Sequence, residues 1–173
     1  MKALKDLMDG LGVKSLDCRQ DGSQLKNENR SSYLFNTTIA GLEEADAILL
    51  IGTNPRLEAP LINTRIRKTW LAGDLAIGLI GEAADLTYEY DHIGTSASDI
   101  AAFTKSAKGL ARKFKSAKNP VIIIGAAAVA GEDGAAVLRA CGELAKKFGV
   151  GREGWNILHG AASRVAGLDI GFV

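Results

Sequence analysis

Three short apolar runs stand out along the chain: Ala47–Ile51, Leu75–Ile80 and Val121–Ile124. Each is closed by a glycine, Gly52, Gly81 or Gly125. An unbroken apolar run bounded by a turn residue predicts a strand covered on both faces. Elsewhere apolar positions recur at helical spacing. Leu57, Leu61, Ile62, Ile66 and Trp70 predict a helix that begins near Pro60, since proline suits only a first turn. Arg65, Arg67 and Lys68 fall on its other faces. Ser96–Asp99 reads as a capping box, and Ile100, Phe103, Ala107, Leu110 and Phe114 carry one helix from it to about Lys115. Val137, Cys141, Leu144 and Phe148 share one face of a helix over 131–148, which Gly149 and Gly151 stop. A final helix is predicted over 155–168, with Leu158, Ala161, Ala162, Val165 and Leu168 inward. Towards the start, Leu4, Leu7, Met8 and Leu11 predict a helix, and residues 13–16 a short strand. Residues 17–32 read as a long polar loop, 39–44 as a short helix, and 88–93 as extended or irregular.

Strand–helix alternation of this kind predicts an α/β fold with a mostly parallel sheet and helices on both faces, a Rossmann-like architecture. One continuous domain over 1–173 is the economical arrangement. Open α/β sheets bind ligands at the carboxyl ends of their strands. The turn Gly52-Thr53-Asn54-Pro55 lies there, so Gly52, Thr53, Asn54 and Arg56 are candidate cofactor-binding residues. The same turn also reads as a tight strand-to-helix connection. Pro55 removes one backbone donor, and a helix starting at Pro60 does not aim its dipole at Thr53, which favours the second reading. Arg65, Arg67 and Lys68 are candidates for a partner contact or a solvated helix face.

Composition narrows the classes. The net charge is +1 and aromatics make up 6% of residues, which gives no footprint for nucleic acid. No apolar stretch is long enough to span a membrane, so direct insertion is not expected. Residues 1–6 do not read as a signal peptide. Cys18 and Cys141 are far apart, and the histidines are His92 and His159, so no metal-ligand set is expected within the chain. The cysteine usage reads as reduced and intracellular. Cys141 falls on a core face, while Cys18 sits in the polar loop. Asp91-His92 beside Tyr88 and Tyr90 is a candidate acid–base pair or a hydrogen-bonded structural histidine. His159 is expected to pack or cap the last helix. Gly125-Ala126-Ala127-Ala128 follows the third strand but lacks a full G-x-G-x-x-G.

Several blocks carry a family resemblance. They are residues 33–46 (YLFNTTIAGLEEAD), the Gly-Thr-Asn-Pro turn, residues 58–71 (EAPLINTRIRKTWL), residues 85–94 (DLTYEYDHIG) and residues 155–159 (WNILH). The strand followed by Gly-x-Asn-Pro resembles molybdopterin oxidoreductase-like proteins. The Arg-Ile-Arg-Lys helix with Tyr-x-Tyr-Asp-His after it resembles the family of large iron–sulfur subunits of respiratory NADH–quinone oxidoreductase, complex I. The likeness runs from about Leu16 to the end. It implies a piece of a longer subunit whose cluster-binding amino-terminal region is absent here. It implies a non-catalytic scaffold with no cofactor of its own, the full-length subunit holding iron–sulfur clusters outside this region. The implied partners are that amino-terminal region and other complex I subunits. The implied location is peripheral, on the cytoplasmic side of the inner membrane. The alternative is a nucleotide- or molybdopterin-binding oxidoreductase domain, the turn at Gly52–Asn54 being its contact. Residues 117–125 (AKNPVIIIG) are also similar to the central domain of thiamine-diphosphate enzymes, a likeness the other blocks oppose.

Overall fold

A computed structural model describes residues 1–173. The apolar runs form strands β1 (Ala47–Ile51), β2 (Ala76–Ile80) and β4 (Pro120–Gly125), with β3 (Asp91–Gly94) and β5 (Trp155–Leu158) at the edges. All pairings are parallel, in the order β3-β2-β1-β4-β5. Every residue of β1 and β4 is buried, as continuous apolar patterning requires of a sheet covered on both faces.

Alternation along the central strands divides the core. Ala47, Leu49, Ile51, Ile122 and Ile124 face one layer, built by helices α4 (Ala97–Lys105), α5 (Gly109–Ser116) and α6 (Gly134–Phe148). There Phe103, Phe114 and Phe148 meet one another with ring centroids 5.5 to 6.0 Å apart. Ile48, Leu50, Val121 and Ile123 face the other layer, where Ile62 and Ile66 of helix α3 (Pro60–Ala72) pack with Leu42, Leu86 and Tyr88. Helix α1 (Lys2–Gly10) lies outside both and buries no residue. The short helices α2 (Pro55–Glu58) and α7 (Arg164–Asp169) complete the fold.

The structure differs from the sequence expectations in several places. Residues 155–158 are strand β5, and the helix starts only at Arg164. The strand depends on partners distant in sequence: β4 on one side, and on the other the segment around Phe35, which bridges Asn156 antiparallel. Ala161 and Ala162 are exposed accordingly. The helix drawn from 96 to 115 is two helices, because Ser106 is extended and Gly109 takes φ +54. Ala107 is exposed in the gap. A four-residue helix, α2, precedes α3, and Leu57 and Leu61 point to solvent at 77% and 72% exposure. Residues 13–16 form no strand, and residues 39–44 hold only a 3-10 turn over Gly41–Glu44. The stretch at 88–93, read as extended or irregular, does hold a strand, β3, from Asp91.

The polar loop is pinned rather than free. Leu25 and Ser23 are 2% exposed, and Gln24 N–H donates to the Val129 carbonyl at 2.9 Å. Residues 33–38 then seal the edge of β5. Asn156 is fully buried. Its amide donates to the Ile122 carbonyl at 3.1 Å and to Thr37 Oγ1 at 2.7 Å, and its oxygen accepts from Thr37 N–H at 2.9 Å. Ile157 N–H donates to the Leu34 carbonyl at 3.0 Å. A covered edge cannot template pairing with another chain.

Candidate functional site

The strand order reverses between β1 and β4, and that switch point is where open α/β sheets form their ligand crevice. A cavity of about 470 Å³ opens there. Its floor is Ile51, Ile80 and Ile100, and its walls are the turns 52–54, 81–84, 95–97 and 127–128.

Glycines let the strand ends crowd together. Gly52 has φ +57, and a Cβ on it would lie 2.4 Å from Ala128 Cβ. A Cβ on Gly125 would lie 2.3 Å from the Gly52 carbonyl oxygen. The turn after β1 therefore packs directly on Ala128, and only glycine fits at 52. Thr53, 7% exposed, donates its hydroxyl to Glu58 Oε2 at 3.0 Å. Asn54 N–H donates to Glu58 Oε1 at 2.6 Å. One carboxylate thus takes two of the donors at the turn. The short helix α2 explains it: starting at Pro55 directly after the turn, it carries Glu58 back over Thr53. A second carboxylate does the same at the end of β3, where Asp99 accepts from Thr95 N–H at 3.0 Å and Ser96 N–H at 2.9 Å. Its hydrogen bonds with Ser96 lead in holding the Asp99 carboxyl below the usual carboxylate range.

Charge follows the same sense. Glu58 and Glu82 line the cavity, and no Lys, Arg or His does. Neither glutamate makes an ion pair. Asn54 Oδ1 is buried with no hydrogen-bond partner.

Of the other residues singled out in the sequence, Arg56 stands outside the cavity. Its guanidinium pairs with the Asp85 carboxylate and donates to the Asp85 carbonyl at 3.0 Å, clipping α2 to the loop after β2. Arg65 and Lys68 both pair with Glu43, Lys68 at 2.6 Å, and these bonds hold the Glu43 carboxyl below its ordinary range, Lys68 more than Arg65. Arg67 Nε donates to the Thr87 carbonyl at 3.1 Å. The basic face of α3 is thus bonded within the chain. Beside it the buried Asn63 accepts from Tyr88 Oη at 2.8 Å and donates to the Leu86 carbonyl at 3.0 Å. The Tyr-x-Tyr-Asp-His block and the Arg-Ile-Arg-Lys helix are one packed unit.

His92 contacts the Gly81 carbonyl at 2.9 Å, and no hydrogen bond joins it to Asp91. His159 follows β5 rather than lying on a helix, with Nε2 2.6 Å from the Tyr33 carbonyl. Burial lowers its pKa, and Arg164 adds to the effect. Cys18 packs against Gly167 of α7. Cys141 is fully buried, and burial pushes its thiol up to about 12. No three His, Cys, Asp or Glu side chains converge on a common point. Two residues that sequence reasoning passed over, Glu58 and Glu82, set the character of the crevice. Glu58 was findable as a carboxylate four positions after Asn54, at the reach of one helical turn.

A parallel sheet in this order, with a crevice at its switch point, defines a doubly wound α/β protein. The chain belongs to the molybdopterin oxidoreductase family, whose model matches residues 1–173. It is 41% identical over 176 aligned positions to NADH dehydrogenase [ubiquinone] iron-sulfur protein 1, mitochondrial, of Solanum tuberosum. It is 41% and 42% identical to the NADH-ubiquinone oxidoreductase 78 kDa subunits of Candida albicans and Neurospora crassa. These alignments take in 98 to 100% of this chain and 24% of each relative, so the chain spans about a quarter of their length.

The family's name implies a phosphate-bearing organic cofactor. The residues present do not fit one. Glu58 takes the Thr53 hydroxyl and the Asn54 N–H, and the only ionisable side chains in the lining are acidic. Like charges brought together in a partly dry cleft repel more strongly than in water.

Proposed function

We propose that this chain is a non-catalytic α/β scaffold within the large iron–sulfur subunit of a complex I-type NADH–quinone oxidoreductase. It holds no cofactor of its own, and the clusters that pass electrons from NADH towards quinone lie elsewhere in the longer subunit. Its partners are that remaining part of the subunit and the neighbouring subunits. Its position is peripheral, on the cytoplasmic side of the inner membrane, and no helix here is long and apolar enough to cross one. One observation supports the reading above the others: the Glu58 carboxylate accepts from the Thr53 hydroxyl and the Asn54 N–H at the turn after β1. A fold keeps its shape when its site is lost, so membership of an oxidoreductase family does not by itself carry the chemistry.

The test is Gly52→Ala in the assembled enzyme. The substitution strains the turn against Ala128 without touching any electron carrier the scaffold reading recognises. The expected result is less assembled complex with unchanged NADH–quinone turnover per assembled complex. Turnover lost at normal assembly would mean that the turn takes part in the reaction.

A further inference from the structure

The outer face of α3 combines exposed apolar side chains with an excess of positive charge. Leu61, Thr64, Lys68 and Leu71 follow one another at three- and four-residue intervals, so they share one stripe of the helix. Leu61 and Leu71 are both largely exposed. Leu61 also borders a hollow between two parts of the chain, with Ile39 and Ala40 on one side and Thr64, Arg65 and Lys68 on the other. Ile39 is exposed as well. On the rim, Arg65 and Lys68 converge on a single carboxylate, Glu43, each through a different oxygen. Two cations therefore share one anion, and one positive charge is left over. Arg65 and Lys68 stay partly exposed, and each keeps N–H donors beyond the one that Glu43 takes. Single exposed leucines are ordinary on a surface, but an apolar hollow with an under-neutralised rim is a more specific arrangement.

We propose that this face of α3 docks an acidic, partly apolar segment from the rest of the same longer subunit, an assignment that rests on the scaffold reading above. The segment places an apolar side chain in the hollow between Ile39 and Leu61 and a carboxylate beside Arg65 and Lys68. Charge complementarity selects it. A second carboxylate at the rim gives two anions for two cations, and the guanidinium fork and the ammonium have donors to spare for it. A basic segment would add to the excess, and a wholly apolar one would cover the surplus charge without a counter-ion. A lipid surface fits less well, because Glu43 stands among the cations and offsets their pull on anionic headgroups. The source follows from length: the relatives align with this chain over only 24% of their residues, and segments of one polypeptide meet at high effective concentration.

The experiment is photo-crosslinking in the assembled enzyme, with benzoylphenylalanine in place of Leu61. The replacement is made at an exposed side chain and leaves the core untouched. Irradiation, digestion and mass spectrometry are expected to give one major cross-linked peptide. It comes from the same subunit, outside these 173 residues, and carries Asp or Glu within about four positions of the linked residue. Lys68→Gln removes the surplus charge and keeps the Arg65–Glu43 pair, so it is expected to lower the cross-link yield about threefold with the fold intact. A cross-link to lipid, to another subunit, to a peptide without a carboxylate, or to nothing would overturn the proposal, and so would a yield that Lys68→Gln leaves unchanged. Turnover per assembled complex is read on the same samples. A fall there at normal assembly would count against the scaffold reading and not against the contact.

Discussion

The Glu58 carboxylate lies 3.0 Å from the Thr53 hydroxyl and accepts its hydrogen bond. The same carboxylate takes the Asn54 N–H, so a single side chain closes the turn at the carboxyl end of the central strand. Removing it should do two things at once. Glu58→Ala should lower stability by about 1 kcal/mol, as loss of a helix-cap interaction does. It should also free both donors, so that phosphate binds the variant more tightly than the wild type. Urea unfolding and phosphate titration of the two proteins check the pair. A variant that unfolds earlier but binds no phosphate would mean that Glu58 braces the turn without shielding it.

Gly52 has no room for a side chain and sits in the left-handed region. Gly52→Ala should cost roughly 2 kcal/mol or more, from the φ penalty together with the clash against Ala128. Adding Ala128→Gly should recover the clash and leave the φ cost. A double-mutant cycle read by denaturant midpoints separates the two. Strict additivity would mean that the Ala128 contact carries nothing.

Asn156 ties the sealing segment to the edge of the sheet. Asn156→Leu would leave Thr37 N–H and the Ile122 carbonyl without this partner, at about 1–3 kcal/mol for each buried group. Faster amide exchange confined to residues 33–38 and β5 is expected before global unfolding. Uniform exchange across the sheet would show that the latch is not a separate unit.

Acid should act through His159 first. Its folded pKa lies below its unfolded value because burial disfavours the imidazolium. The unfolded chain therefore takes up the proton first, and stability falls as the pH drops below about 6.5 and levels off beneath the folded pKa. Asp21, Asp99 and Asp169 are also lowered, but from ordinary carboxylate values, so their contribution persists above about pH 4 and fades at more acid pH. Urea midpoints between about pH 8 and 5 should show a decline in the wild type that is absent in His159→Gln. A decline that survives the substitution would assign it to another group.

The central sheet was legible because continuous apolar runs closed by glycine, such as 47–51 and 121–124, admit few alternatives. Strand β5 was not, since Trp155–Leu158 becomes extended only through β4 and the Phe35 segment, and no local period marks it. The break at 106–108 was hidden because Phe103 and Leu110 keep helical spacing across it. The position of the turn, at the carboxyl end of the central strand, was legible from the run before it. Its charge was not, because Glu58 reaches back from a short helix the sequence did not announce, and Glu82 joins it only through the folding of the sheet. The basic residues Arg65 and Lys68 looked free for the same reason: Glu43, more than twenty positions earlier, meets them only in the folded chain.

Native mass spectrometry with metal analysis of the purified protein tests the absence of a working cofactor site most directly. The account predicts the bare polypeptide mass, with no molybdenum and no bound nucleotide. A retained pterin- or nucleotide-sized mass would contradict it, and would make the crevice after Ile51 an active site.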